Sequence, residues 1–157
     1  MPDSTAQWDG IYAQIEAMGA GTVRVGIVGP SASEMVPGTN LTILDIGLIH
    51  ELGSRDGRVP ERSYLRSTLT EHRTAELAEL QRKLARAIVE RGMAVRQALG
   101  ILGESAVSWV KETIRSRKTT GPGPQANKPA TIKRKGSDVP LVDTAQLINS
   151  ISYEIEE

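Results

Sequence analysis

The 157-residue chain has no cysteine, no phenylalanine and no long apolar run. Without thiols there is neither a disulfide framework nor a thiolate metal site, which fits a reducing compartment. Aromatic residues total 3% and are Trp8, Tyr12, Tyr64, Trp109 and Tyr153. A core without Phe rests on Leu, Ile and Val, which add less burial per residue. The isolated chain is therefore expected to be marginally stable, with partner subunits supplying the rest. No apolar stretch approaches the ~20 residues of a membrane helix. The opening MPDSTAQWDG has no basic or apolar region of a secretory signal. The expectation is a soluble protein made in the cytoplasm, without membrane contact.

Charge of one sign is also lacking overall, with 19 basic and 19 acidic residues. The distribution is uneven. From Lys111 to Lys135 eight basic residues face a single acid, Glu112. They are Lys111, Arg115, Arg117, Lys118, Lys128, Lys133, Arg134 and Lys135. Such an excess attracts phosphates or an acidic protein surface.

Hydrophobic spacing predicts the elements. Trp8, Ile11, Ile15 and Met18 mark a short amphipathic helix over 6–18, stopped by Gly19 and Gly21. Thr22 to Val28 alternates and predicts a strand. Residues 29–40 read as a flexible loop. In LTILDIGLIHELGS the first half reads as a strand and the second as a short helix. Leu44, Leu48 and Glu51/Leu52 share one face of that helix, which ends at Gly53. From Ser63 to Arg117 the pattern is helical, with Thr68 and Glu71 as a capping box. Gly100 and Gly103 predict a break in it. Residues 118–130, with Pro122, Pro124 and Pro129, read as a second flexible loop. Asp143 reads as the cap of one helical turn, and 149–156 alternates as a final strand. The fold expected is a single α+β domain over 1–157. Its antiparallel sheet would include strands near 22–28 and 149–156, packed on a long helix or helix pair over about 63–117.

Catalytic patterns are missing. His50-Glu51 begins an HExxH-like run, but the second histidine position is Ser54. His72 lies on another element, so no metal and no cofactor is expected, and His50 reads as a packed helix residue. Neither a G-x-S-x-G elbow nor a phosphate-binding glycine loop occurs. Asp138 and Asp143 fit turn and cap roles around Pro140. A small hydrolase using His50 and Glu51 is the weakest reading. The basic segment 111–135 supports a nucleic-acid-binding alternative, with Lys118, Lys128, Lys133, Arg134 and Lys135 facing DNA or a partner. It carries no interleaved aromatics for base stacking. The favoured reading is a solvated loop after a helix end whose dipole suits cations.

Two stretches resemble a known family. One is His50-Glu51-Leu52-Gly53-Ser54 followed by Val59-Pro60-Glu61-Arg62-Ser63-Tyr64-Leu65-Arg66. The other is Pro140-Leu141-Val142-Asp143-Thr144-Ala145-Gln146-Leu147-Ile148-Asn149-Ser150-Ile151, led in by Thr131 to Gly136. In order and spacing they are similar to the signatures of small morphogenesis proteins of tailed bacteriophages, over most of residues 22–155. Ala145 stands where that pattern has Gly, Ser63-Tyr64 where it has Pro-Phe, and Glu61 where it has a small residue.

The resemblance implies a non-enzymatic virion component of the neck, tail-completion or tail-terminator type. It would be made in the host cytoplasm and reside at the head–tail junction or tail end. The implied partners are further copies of itself in a ring, commonly hexameric. Connector or head-completion proteins would lie on one side, tail tube proteins on the other, with non-specific DNA contact in the lumen. The implied assembly residues are His50, Glu51, Gly53, Pro60, Arg62, Leu65, Pro140, Leu141, Asp143, Thr144, Leu147 and Ser150. Arg62 and Arg66, four apart, would suit carboxylates of a neighbouring subunit.

Overall fold

The computed structural model describes residues 21–116, Lys133 and 146–156. The helix expected over 6–18, the loop 118–130 and the Asp143 cap lie outside the described residues.

Strand β1 (Thr22–Ile27) and strand β2 (Ile151–Glu156) pair antiparallel. The register runs from Thr22 opposite Glu156 to Ile27 opposite Ile151. Their period-two patterns match, so Val23–Ile155, Val25–Tyr153 and Ile27–Ile151 are cross-strand apolar pairs. The alternate positions carry charge, and Arg24 reaches Glu156 at 2.7 Å. Exposed as it is, that pair contributes little to stability.

Helix α1 (Ile43–Leu52) begins one residue after Thr42. Asp45 N–H donates to Thr42 Oγ1 at 3.1 Å, and Thr42 N–H returns a bond to Asp45 Oδ2 at 2.9 Å. This reciprocal cap starts the helix within LTIL, where a strand was expected. Strand character survives only in a bridge between Met35 and Thr42. The preceding loop is internally bonded: a 3-10 turn spans Pro30–Ser33, and Val36 N–H donates to Leu41 O at 2.9 Å.

After α1 the chain does not pass straight into a long helix. Ser63 to Leu65 is non-helical, and Ser67–His72 winds as a π-helical segment. Helix α2 (Thr74–Arg91) follows. Thr68 therefore sits inside the π segment and caps nothing; its hydroxyl donates to Tyr64 O at 2.5 Å. Helix α2 ends at Gly92, whose φ of 66° is left-handed. Met93 N–H donates to Ala87 O there at 3.1 Å, closing the helix end.

Helix α3 (Val95–Ser116) is unbroken through Gly100 and Gly103, contrary to the expected break. The reason is tertiary. A Cβ at Gly103 would overlap the Tyr153 ring, so glycine lets β2 lie against the helix. That packing outweighs a propensity cost of about 1 kcal/mol. Arg73 ties the start of α2 to α3 through Glu112 at 2.6 Å. A one-turn helix α4 (Gln146–Ser150) leads into β2, so Asn149 and Ser150 are helical and not part of the strand.

The fold is α+β: a two-stranded sheet, among the described residues, packed on α3. Two apolar clusters lie along that helix. The first joins Ile43, Tyr64, Val110, Ile114, Leu147, Ile148 and Ile151. The second joins Leu84, Ile88 and Ala98, with Leu80 and Leu102 against them.

Candidate functional site

The densest polar construction among the described residues links the C-terminal end of α1 to Ser63–Arg66. Its centre is Glu51. Oε1 accepts from the Ser63 hydroxyl at 2.7 Å and from Arg66 N–H at 3.0 Å. Oε2 accepts from Tyr64 N–H and Leu65 N–H, both at 2.9 Å. Three successive backbone donors opening a helix would otherwise lack intrahelical acceptors. A carboxylate supplied from α1 satisfies them and opposes the positive end of the helix dipole.

The connector is shaped to make this contact. Gly53 has a φ of 80°, and a Cβ there would lie 3.1 Å from Glu61 N. Ser54 closes a loop by accepting Val59 N–H on Oγ at 2.8 Å and donating its own N–H to Val59 O at 2.9 Å. Asp56 steadies it, accepting from the Ser54 hydroxyl and Arg58 N–H, which hold its carboxyl below the usual range. Pro60 follows the loop, and Arg62 N–H then donates to His50 O at 2.8 Å.

Below Glu51 the joint enters the core. Tyr64 is buried, and its hydroxyl donates to Gly47 O at 3.3 Å. Burial, and secondarily the Glu51 carboxylate, push the phenol well above its ordinary pKa. Gly47 is required beside it, since a Cβ would collide with Ile27 and crowd the Tyr64 hydroxyl. Thr68 Oγ1 lies 2.7 Å from Thr113 Oγ1, joining the π segment to α3.

The expected assembly residues divide accordingly. Glu51, Gly53 and Pro60 build the connector joint, and Leu65 packs beside the first cluster. Arg62 does not face outward as expected: it is 7% exposed, and burial lowers its pKa. Arg66 is outside, but pairs within the chain to Glu61 at 2.6 Å. Leu147 and Ser150 are buried in α4, where the Ser150 hydroxyl donates to Leu147 O at 2.8 Å. Pro140, Leu141, Asp143, Thr144, Lys118, Lys128, Arg134 and Lys135 lie outside the described residues, and Lys133 is exposed.

Both Glu51 oxygens are engaged by the chain's own donors, and His50 contributes a carbonyl to the joint. Among the described residues no three His, Asp or Glu side chains converge as a metal-binding group. No helix among them is long and apolar enough to cross a membrane. No family model matches the chain, and neither the curated proteins nor the solved structures contain a match.

Sequence reasoning missed Glu51 as a helix cap. It also missed Thr113 and Gly47, and read Thr68 as a cap rather than as a buried partner of Thr113. Only Gly47, a glycine within an apolar helix pattern, carried a local signal of close packing.

Proposed function

We propose that the chain is a structural protein of a tailed-phage virion, of the neck, tail-completion or tail-terminator type. It acts by forming a ring that joins or terminates the tail. The observation that carries this reading is the meeting of the two signature stretches. Tyr64, from His50–Arg66, shares one apolar cluster with Leu147, Ile148 and Ile151 from Pro140–Ile151. Two motifs far apart in sequence thus meet in one apolar cluster, as stretches that jointly shape an assembly element would.

Light scattering and negative-stain microscopy test the reading. The purified chain, alone or mixed with tail components, should form rings of defined subunit number. A strict monomer under both conditions would overturn it.

The nucleic-acid alternative draws on one further observation. Lys111 and Arg115 line a cleft of about 390 Å³ between α3 and β2. DNA affinity that falls steeply with salt, and is lost on neutralising Lys133, Arg134 and Lys135, would favour it.

A further inference from the structure

Among the described residues two apolar surfaces are left open, and they complement each other. The first is convex. Leu44, Leu48 and Leu52 lie four residues apart on α1 and are 39%, 48% and 62% exposed. They cover about 12 Å of helix at 1.5 Å per residue. The inward side of α1 is Ile43 and Gly47, so this stripe has no partner in the core formed by the described residues.

The second surface is a groove of about 740 Å³ along the α2–α3 hairpin. Ala78, Ala85, Ile88, Val95, Leu99 and Leu102 line it. The small side chains on α2 leave room for a helix, as helix-in-groove docking requires. Ala78 to Ile88 gives the groove a length of about 15 Å. The stripe fits that length.

Charge sorts the same way. The helix that holds the stripe, Ile43–Leu52, carries Asp45 and Glu51 and no Lys or Arg, and of these Asp45 lies beside the stripe while Glu51 is engaged by Ser63–Arg66. The lining of the groove holds Arg82 and no acidic residue. Like charge would repel two stripes or two grooves from each other; stripe and groove attract.

One molecule cannot join its own two surfaces. The stripe's helix packs at the Ile27 end of β1, where Gly47 faces Ile27. The groove opens beside Thr22 and Val23, at the other end of that strand. Six residues of strand set them apart by roughly 17 Å, at ~3.3 Å per residue.

We infer that the leucine stripe of α1 docks into the α2–α3 groove of a second copy of this chain. The contact is heterologous, one surface meeting a different one, so it propagates until a ring closes. The inference rests on the ring reading above and supplies the contact that such a ring would use.

The absence of native cysteine makes the test free of background. Leu48→Cys and Ala85→Cys, separately oxidised, should stay monomeric on a non-reducing gel. Mixed together they should give a covalent dimer, and the double variant a ladder of higher species. Leu48→Lys should lower self-association at least tenfold with the helical circular dichroism unchanged. Gln81→Cys, at the exposed lip, replaces Ala85→Cys if that variant fails to fold.

Three results would overturn the inference. Efficient dimerisation of Leu48→Cys alone would mean that stripe meets stripe. An intramolecular disulfide between Ile15→Cys and Ala85→Cys would mean that the chain's own residues 6–18 fill the groove. No ladder from the double variant, while the unmodified chain forms rings, would place the ring contact elsewhere and leave the ring reading standing. If the unmodified chain is also strictly monomeric, both readings fall.

Discussion

Arg66 receives its helix-opening acceptor from Glu51, fifteen residues earlier, through a 3.0 Å bond to Oε1. The same carboxylate serves Ser63, Tyr64 and Leu65. A remote side chain thus does the work that a neighbouring Ser, Thr or Asp usually does at a helix start.

Glu51→Gln should therefore be costly despite its near-identical size. An amide offers one acceptor oxygen, and its NH2 would face backbone N–H groups. Leaving such donors unmet costs about 1–3 kcal/mol. The thermal midpoint should drop by about 2–12 °C, at ~2–4 °C per kcal/mol for a chain of this size. An unchanged midpoint would show that water replaces the carboxylate without loss.

Tyr64 sets an alkaline limit. In the unfolded chain its phenol ionises near pH ~10. In the fold, burial and the Glu51 carboxylate raise that value. The unfolded state thus releases its proton first, so stability is full below the unfolded value and falls as pH rises past it. Tyr64→Phe should flatten this decline while costing about 1 kcal/mol at neutral pH for the lost hydroxyl bond. Denaturant midpoints measured from neutral to alkaline pH check both effects. An equally steep decline in the variant would assign it to another group.

The Thr68–Thr113 hydroxyl pair should behave as one unit. Thr68→Val leaves the buried Thr113 hydroxyl without this partner, at about 1–3 kcal/mol, whereas Thr113→Val costs less because Thr68 still donates to Tyr64 O. Changing both removes the mismatch, so the double variant should lose less than the sum of the singles. Strict additivity in a double-mutant cycle would show the pair to be energetically independent.

Gly100 and Gly103 should respond oppositely to alanine. At Gly100 a Cβ meets only the Tyr153 hydroxyl at 3.7 Å, an ordinary contact. Gly100→Ala should then stabilise α3 by up to about 1 kcal/mol through helix propensity. Gly103→Ala drives a methyl into the Tyr153 ring and should destabilise by about 1–3 kcal/mol. Paired urea melts distinguish the signs.

Local pattern was enough to read the strands at 22–27 and 151–156, because period-two alternation reports burial directly, but not to end the second before the helical Asn149 and Ser150. It was also enough to place Leu44, Leu48 and Leu52 on one helical face. It did not say that the face stays open, since burial depends on what Ile43 and Gly47 pack against. The expected break at Gly100 and Gly103 failed for the same reason. Propensity counts what a glycine costs its helix but not the Tyr153 ring it admits from β2. Glu51 read as half of an incomplete metal motif because its donors lie beyond a turn. Arg62, expected to reach a neighbouring subunit, is instead folded under the connector.

The pairing of β1 with β2 has a consequence for biosynthesis. Strand β1 is made early, yet its hydrogen-bonding partner is the stretch 151–156, and Ile151 also completes the first apolar cluster. Loop closure over so long a separation is slow, and until then an edge of β1 stays unpaired. The nascent chain therefore carries an incomplete sheet through most of its synthesis. The sheet and the first apolar cluster therefore close together, on the arrival of one short stretch, 151–156.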